Sequence, residues 1–166
     1  VDKVITESHP DIVEYNAFKS TDGKNIEMKT SHFRGFFDEK EVKEKIIPCM
    51  LCDKDQRFYT FGVLPAVWSK MIKTEILRDN LCSEDKITFG EDVACIYNSI
   101  LKCKSFYGID IPVYYYRQNS QSMTKAYDAR RFERLEVLFA YLNKKLLRNN
   151  RQLKSQYDNY ILFCVF

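Results

Sequence analysis

Apolar residues recur at Val93, Ile96, Tyr97, Ile100 and Leu101, the i, i+3, i+4, i+7, i+8 spacing that lines one face of a helix. Residues 11–18, Asp-Ile-Val-Glu-Tyr-Asn-Ala-Phe, alternate instead, as a half-buried strand does. The turn cluster at 20–25 and the return over 26–30 predict a hairpin. Residues 37–47, dense in Glu and Lys, predict an exposed helix stopped near Pro48. Residues 51–60 read as a polar connector, and 63–68 as an apolar segment bent by Pro65. Residues 70–79 read as helical and 81–90 as a loop.

Gly108 and Pro112 interrupt the chain before a short strand over 113–117, where Pro112 suits a start or an edge. A Ser/Gln/Asn-rich loop follows over 117–125. A long helix is predicted over 129–148, with Phe132, Leu135, Phe139, Leu142 and Leu146 on one side. Arg130, Arg131, Arg134, Lys145 and Arg148 share the opposite side. Residues 151–166 predict a last helix that ends within an apolar run. The order of strands and helices predicts an α/β fold.

At 166 residues with 45% hydrophobic and 30% charged positions, the chain has the size and core of one domain. No apolar run approaches bilayer-spanning length, and the first twenty residues lack signal-peptide order. The Val start and the apolar end suggest a piece of a longer protein. Net charge is 26 − 23 = +3. Residues 125–154 hold nine Lys/Arg against three Asp/Glu, so the remainder is mildly acidic. That basic third is either a solvated helix face or a surface for an anionic partner. Of the six cysteines, Cys49 and Cys52 form a lone Cys-x-x-Cys without the further ligands a zinc site needs. Free thiols in a reducing compartment are the expectation.

Three stretches carry candidate chemistry. Thr88-Phe-Gly-Glu-Asp92 precedes the apolar helix, where Thr88 and Glu91 match a capping box. The same stretch can hold Asp92 at a loop-to-helix junction as a proton acceptor, kept ionised by the helix N-terminus. Tyr114-Tyr-Tyr-Arg117, followed by Ser120, Ser122 and Thr124, can meet phosphate or sugar oxygens, or can simply cap a sheet edge. Val67-Trp-Ser-Lys70 offers Trp68 as a sugar platform or as a core residue.

In this order, Asp11-Ile-Val-Glu-Tyr-Asn16, Val67-Trp-Ser-Lys-Met-Ile72, Ile87-Thr-Phe-Gly-Glu-Asp92 and Tyr114-Tyr-Tyr-Arg117 through Ser122-Met-Thr124 resemble the family-two inverting glycosyltransferases. That is the GT-A group of bacterial cell-surface polysaccharide synthesis. The resemblance spans roughly residues 8–125. It implies that an acceptor hydroxyl attacks the anomeric carbon of a nucleotide-sugar donor with inversion. Asp92 would be the base and Glu91 its acceptor-positioning partner. Trp68 and Lys70 would line the acceptor cleft, while Arg117 and Ser122 would lie on the loop over the diphosphate. Where family members often carry a His in that loop, Gln118, Asn119 and Ser120 stand here.

The family's nucleobase- and ribose-binding motifs and its Asp-x-Asp metal site have no counterpart in this sequence. Asp53-Lys-Asp55 has the letters but sits in the polar connector, and reads as a solvated loop. The resemblance therefore implies the C-terminal, acceptor-side part of a GT-A sandwich. Residues 1–125 would form that part and residues 126–166 a helical extension. Mg²⁺ or Mn²⁺ would serve the parent enzyme, with none held by this chain alone. The partners implied are the nucleotide-sugar and a glycan or lipid-linked acceptor, at the cytoplasmic face of a membrane met through the basic 130–148 helix. Exposed apolar surface at 160–166 predicts self-association. Two other classes stand beside this one: a non-catalytic interaction module on a transferase scaffold, and a basic nucleic-acid-binding domain. The latter lacks any helix-turn-helix, zinc or ribonucleoprotein signature, so no nucleic-acid partner is expected.

Overall fold

The computed structural model describes residues 1–21, 23–53, 59–81, 87–118, 128–148 and 150–166. It is a mixed α/β fold. Helix α1 (Asp2–Ser8) leads into strand β1 (Ile12–Thr21), which turns back as β2 (Lys24–Met28). Strand β3 (Gly35–Phe37) is followed by α2 (Glu39–Glu41), which continues through a π turn (Val42–Ile46) and a 3₁₀ turn (Ile47–Cys49). A 3₁₀ turn at Val67–Ser69 opens β4 (Lys70–Ile72) and then α3 (Thr74–Asn80). Helix α4 (Glu91–Lys102), strand β5 (Phe106–Arg117), α5 (Arg131–Leu142) with a π turn (Asn143–Leu147), a 3₁₀ turn (Arg151–Leu153) and α6 (Lys154–Val165) complete it.

The sheet order is β2-β1-β5-β3, with β4 also on β1. Strand β1 runs parallel to β5 along its length, so β2 (on 17–21) and β4 (on 12–14) share its other edge. A strand paired on both sides and covered on both faces buries nearly every position. Ile12, Val13, Glu14, Asn16 and Ala17 are all buried, so the polar positions of the alternating pattern do not face water.

Helix α4 lies at the centre and is buried all round from Val93 to Ile100. Leu135, Leu138, Leu142, Leu146, Leu153, Tyr157 and Tyr160 join the same apolar core as Ile12, Ile96 and Phe106. Gln156 fastens α6 to the body: its amide oxygen accepts from Leu51 N–H at 2.9 Å, and its nitrogen donates to Ile47 O at 3.0 Å.

Several elements differ from the sequence pattern. Residues 70–72 form a strand rather than the start of a helix, because three residues with no periodicity are claimed by pairing with β1. The 37–47 helix is not exposed throughout, since Val42 and Ile46 are buried and Phe37 belongs to β3. Leu51 and Cys52, at the head of the polar connector, are buried as well, and residues 54–58 of it lie outside the described residues.

Strand β5 is one twelve-residue strand that runs through Gly108 and Pro112. A bulge accommodates the proline: the register slips between Tyr15↔Ile109, Asn16↔Pro112 and Ala17↔Tyr114. The capping box at Thr88 does not form. The N-cap of α4 is Gly90, at φ 75°, with no side-chain cap. A Cβ on Gly90 would meet Leu138 of α5 at 2.4 Å, so packing between two helices sets this helix start. Phe132 is 65% exposed and lies off the apolar face predicted for it.

Gly108 is required for a different reason. A Cβ there would sit 2.0 Å from Phe33 O, where β3 approaches β5. Gly108→Ala is expected to cost about 3 kcal/mol, the upper range for one substitution, read by denaturant unfolding.

Candidate functional site

The 3₁₀ turn at Val67–Ser69 gathers most of the candidate residues. Tyr97 of α4 donates its hydroxyl hydrogen to Val63 O at 3.0 Å, and Leu64 N–H donates to Thr30 O at 2.7 Å, so the approach to the turn is fixed on both sides. Tyr15 of β1 donates to Trp68 O at 2.9 Å. The half-buried Trp68 ring stacks on Tyr114 and on Tyr116, each with centroids 5.0 Å away and with planes 18° and 15° apart. Residues 114 and 116 share one face of β5 by strand alternation. The three rings form one stacked aromatic cluster.

Asp92 lies in the first turn of α4, half-buried, and its Oδ2 accepts from Val67 N–H at 3.4 Å. Its pKa is raised above the ordinary carboxylate value, first by burial and then by repulsion from Glu91. The Val67 N–H and the Lys70 ammonium oppose that rise. The helix N-terminus predicts a lowered pKa; here the direction is upward, and burial is the largest cause. A carboxylate raised in this way is nearer the operating pH of a general base. Glu91 is exposed beside it.

Lys70 is not in an open cleft. Its side chain and that of Glu14 are 0% and 1% exposed, with Nζ 3.0 Å from Glu14 Oε1. Nζ also donates to Leu64 O at 2.5 Å and to Ser69 Oγ at 2.9 Å, and Ser31 Oγ donates to Glu14 Oε2. Burial pushes the Lys70 ammonium below its ordinary value, against the pull of Glu14 and Asp92. Glu14 stands directly opposite Lys70 in the β1–β4 register.

Arg117 is exposed at the end of β5. The register Lys19↔Tyr116, Ser20↔Arg117 puts it on the sheet face away from Tyr114, Tyr116 and Trp68. The structure thus places Trp68, Lys70 and Asp92 around one turn, with Glu91 beside Asp92 in the chain, and leaves Arg117 apart. Ser122, with Asn119, Ser120 and Thr124, lies outside the described residues. Glu14, Tyr15 and Tyr97 were given no site role by sequence, and Tyr114 and Tyr116 entered only within the stretch that ends at Arg117.

A second polar region surrounds an open cavity of about 440 Å³ lined in part by Ser31, His32, Arg34, Asp53 and Asp110. The β5 bulge aims Asp110 into it. Asp110 Oδ1 accepts from Lys29 at 2.6 Å, from Asn16 at 2.9 Å and from Arg34 Nε at 2.9 Å. Asp53 is not a solvated loop residue: it is half-buried and 3.4 Å from His32 Nδ1, while Asp55 lies outside the described residues. Lys29, Asn16 and Arg34 hold the Asp110 carboxyl down at about 2.

The sign of the linkage follows. The stability carried by Asp110 is fully present above its ordinary value of 3.8 and is lost as pH falls through about 2. Asp110→Asn is therefore expected to flatten the acid limb of a stability–pH curve between about pH 4 and 2, measured by urea midpoints across that range.

Cys52, Cys103 and Cys164 carry thiols outside any disulfide, and Cys82 lies outside the described residues. Among the described residues no group of three or more His, Cys, Asp or Glu is set to hold a metal ion. Nor is any helix among them long and apolar enough to cross a membrane. The basic side chains of the 130–148 helix lie at its surface, with Arg131 over the Phe89 ring at 5.7 Å and Arg134 paired to Asp128 at 3.2 Å. At the other end of the chain, Leu162, Phe163, Val165 and Phe166 are exposed. The sequence matches no protein-family model and no curated protein.

Proposed function

We propose that this chain is the acceptor-binding side of an inverting glycosyltransferase of the GT-A type. The observation that carries the reading is that one 3₁₀ turn donates the Val67 N–H to the Asp92 carboxylate and, at the next residue, carries the Trp68 ring stacked on Tyr114 and Tyr116. An aromatic surface suits the C–H face of a sugar ring. A carboxylate with a raised pKa suits removal of a proton from a hydroxyl. In the reaction, the acceptor oxygen forms a bond to the anomeric carbon while the bond from that carbon to the diphosphate breaks with inversion. The hydroxyl proton passes to Asp92, and the nucleoside diphosphate leaves. Glu91, exposed next to it, orients the acceptor.

Lys70 acts from behind the site rather than on the substrate. Arg117 and Ser122 belong to the diphosphate side. The nucleobase, the ribose and a divalent cation that would draw charge from the diphosphate are held by motifs this sequence does not contain. The basic 130–148 face is assigned to anionic lipid at the cytoplasmic side of a membrane, and the exposed apolar residues at 162–166 to self-association.

Trp68 is the only tryptophan, so its emission reports on the site directly. Oligosaccharide acceptors are expected to change it in the isolated chain, whereas uridine diphosphate with Mn²⁺ is expected to give no micromolar binding by calorimetry. Micromolar nucleotide binding would place a donor site within these residues and overturn the reading.

A further inference from the structure

We infer that Glu14, Lys70 and Ser31 form a buried positioning unit that sets the Val67–Ser69 turn, and through it the geometry of Trp68 against Asp92. The buried ammonium of Lys70 reaches oxygens on both sides of that turn: Leu64 O before it and Ser69 Oγ at its end. It is in turn fixed to β1 by Glu14, whose second oxygen is held by the Ser31 hydroxyl. The turn cannot shift along the sheet without breaking at least one of these contacts. Everything the turn presents lies between the two anchored points. Val67 N–H meets Asp92, the Trp68 ring meets Tyr114 and Tyr116, and Trp68 O meets Tyr15, the residue next to Glu14.

A buried ion pair is seldom more stabilising than an apolar pair of the same volume. What it adds over an apolar pair is direction. The hydrogen bonds from the Lys70 ammonium to Leu64 O and Ser69 Oγ, and from the Ser31 hydroxyl to Glu14, fix where these groups lie, while methyl groups tolerate sliding. Lys70 also contributes a fixed positive charge that acts on Asp92, against the like charge of Glu91. The unit therefore positions both the aromatic surface and the carboxylate. Its consequence for turnover rests on the transferase reading above, but its structural content does not.

The test uses the folded chain and two readouts that do not require activity: Trp68 emission with anisotropy, and the Asp92 titration midpoint by carboxyl ¹³C NMR. The variants are Ser31→Ala, Lys70→Met and the double Glu14→Gln/Lys70→Met. All three are expected to red-shift the emission and lower the anisotropy as the stack loosens. The two Lys70 variants are expected to move the Asp92 midpoint upward. Variants that lose stability yet keep native emission and an unchanged midpoint would overturn the inference, because a merely structural pair would behave that way. If Lys70→Met does not fold, Ser31→Ala, which strands no charge, decides on emission alone. Spectroscopic shifts in a protein whose transfer is indifferent to Asp92 would sink the transferase reading and leave this inference standing.

Discussion

Replacing Lys70 by methionine is expected to lower the free energy of unfolding by about 3–5 kcal/mol, while Glu14→Gln added to it restores most of the loss. The argument turns on what each variant strands. In Lys70→Met the Glu14 carboxylate stays at 1% exposure with only the Ser31 hydroxyl as donor. Leu64 O and Ser69 Oγ also lose the group that donated to them. An uncompensated charge in a dry interior is the costly case. In the double variant the charge is gone, Gln can still accept from Ser31, and its amide nitrogen can donate toward the vacated oxygens. A double-mutant cycle by denaturant unfolding measures the coupling. Additive losses would show that the two side chains do not act as a pair.

This pair also shows where the sequence stops being legible. Helix α4 was readable because its five apolar positions repeat at the helical period, a local property of residues 93–101. Strand β1 and its hairpin were readable for the same kind of reason. The burial of Glu14 was not. Alternation assigned it to the solvent side, but β1 is paired on both edges by strands distant in sequence and buried on both faces. Strand β4 was equally hidden, because Lys70, Met71 and Ile72 become a strand only through β1. Pro112 argued for a break, and the bulge that admits it inside β5 is set by the register against Asn16. Of the residues the sequence singled out, Trp68, Lys70 and Asp92 lie around one turn, with Glu91 beside Asp92 in the chain. The sequence misjudged the environment of two of them. Local rules gave Thr88 as a cap and a depressed pKa for Asp92. Contacts between elements replaced the first with Gly90 against Leu138 and reversed the second through burial.

That reversal sharpens what Asp92→Asn should do. On the transferase reading, the variant is expected to lower kcat by about 10²-fold or more, with donor affinity nearly unchanged. An amide keeps the shape and can still accept from Val67 N–H, but cannot take the acceptor's proton. Stability should move the other way. The folded pKa of Asp92 is raised above its unfolded value of 3.8. The native state therefore binds more protons than the unfolded chain between those two values, and stability declines as pH rises through that window. At neutral pH the charged, half-buried carboxylate costs stability that an amide does not. Asp92→Asn should thus unfold at the same or higher denaturant concentration than the parent at pH 7, and the difference should vanish below the unfolded pKa. A residue that weakens the fold in the form that accepts a proton is what a base at this junction requires. Near-normal turnover in Asp92→Asn would end its assignment as the base. A marked fall in stability at pH 7 would instead show that the carboxylate is there to start α4.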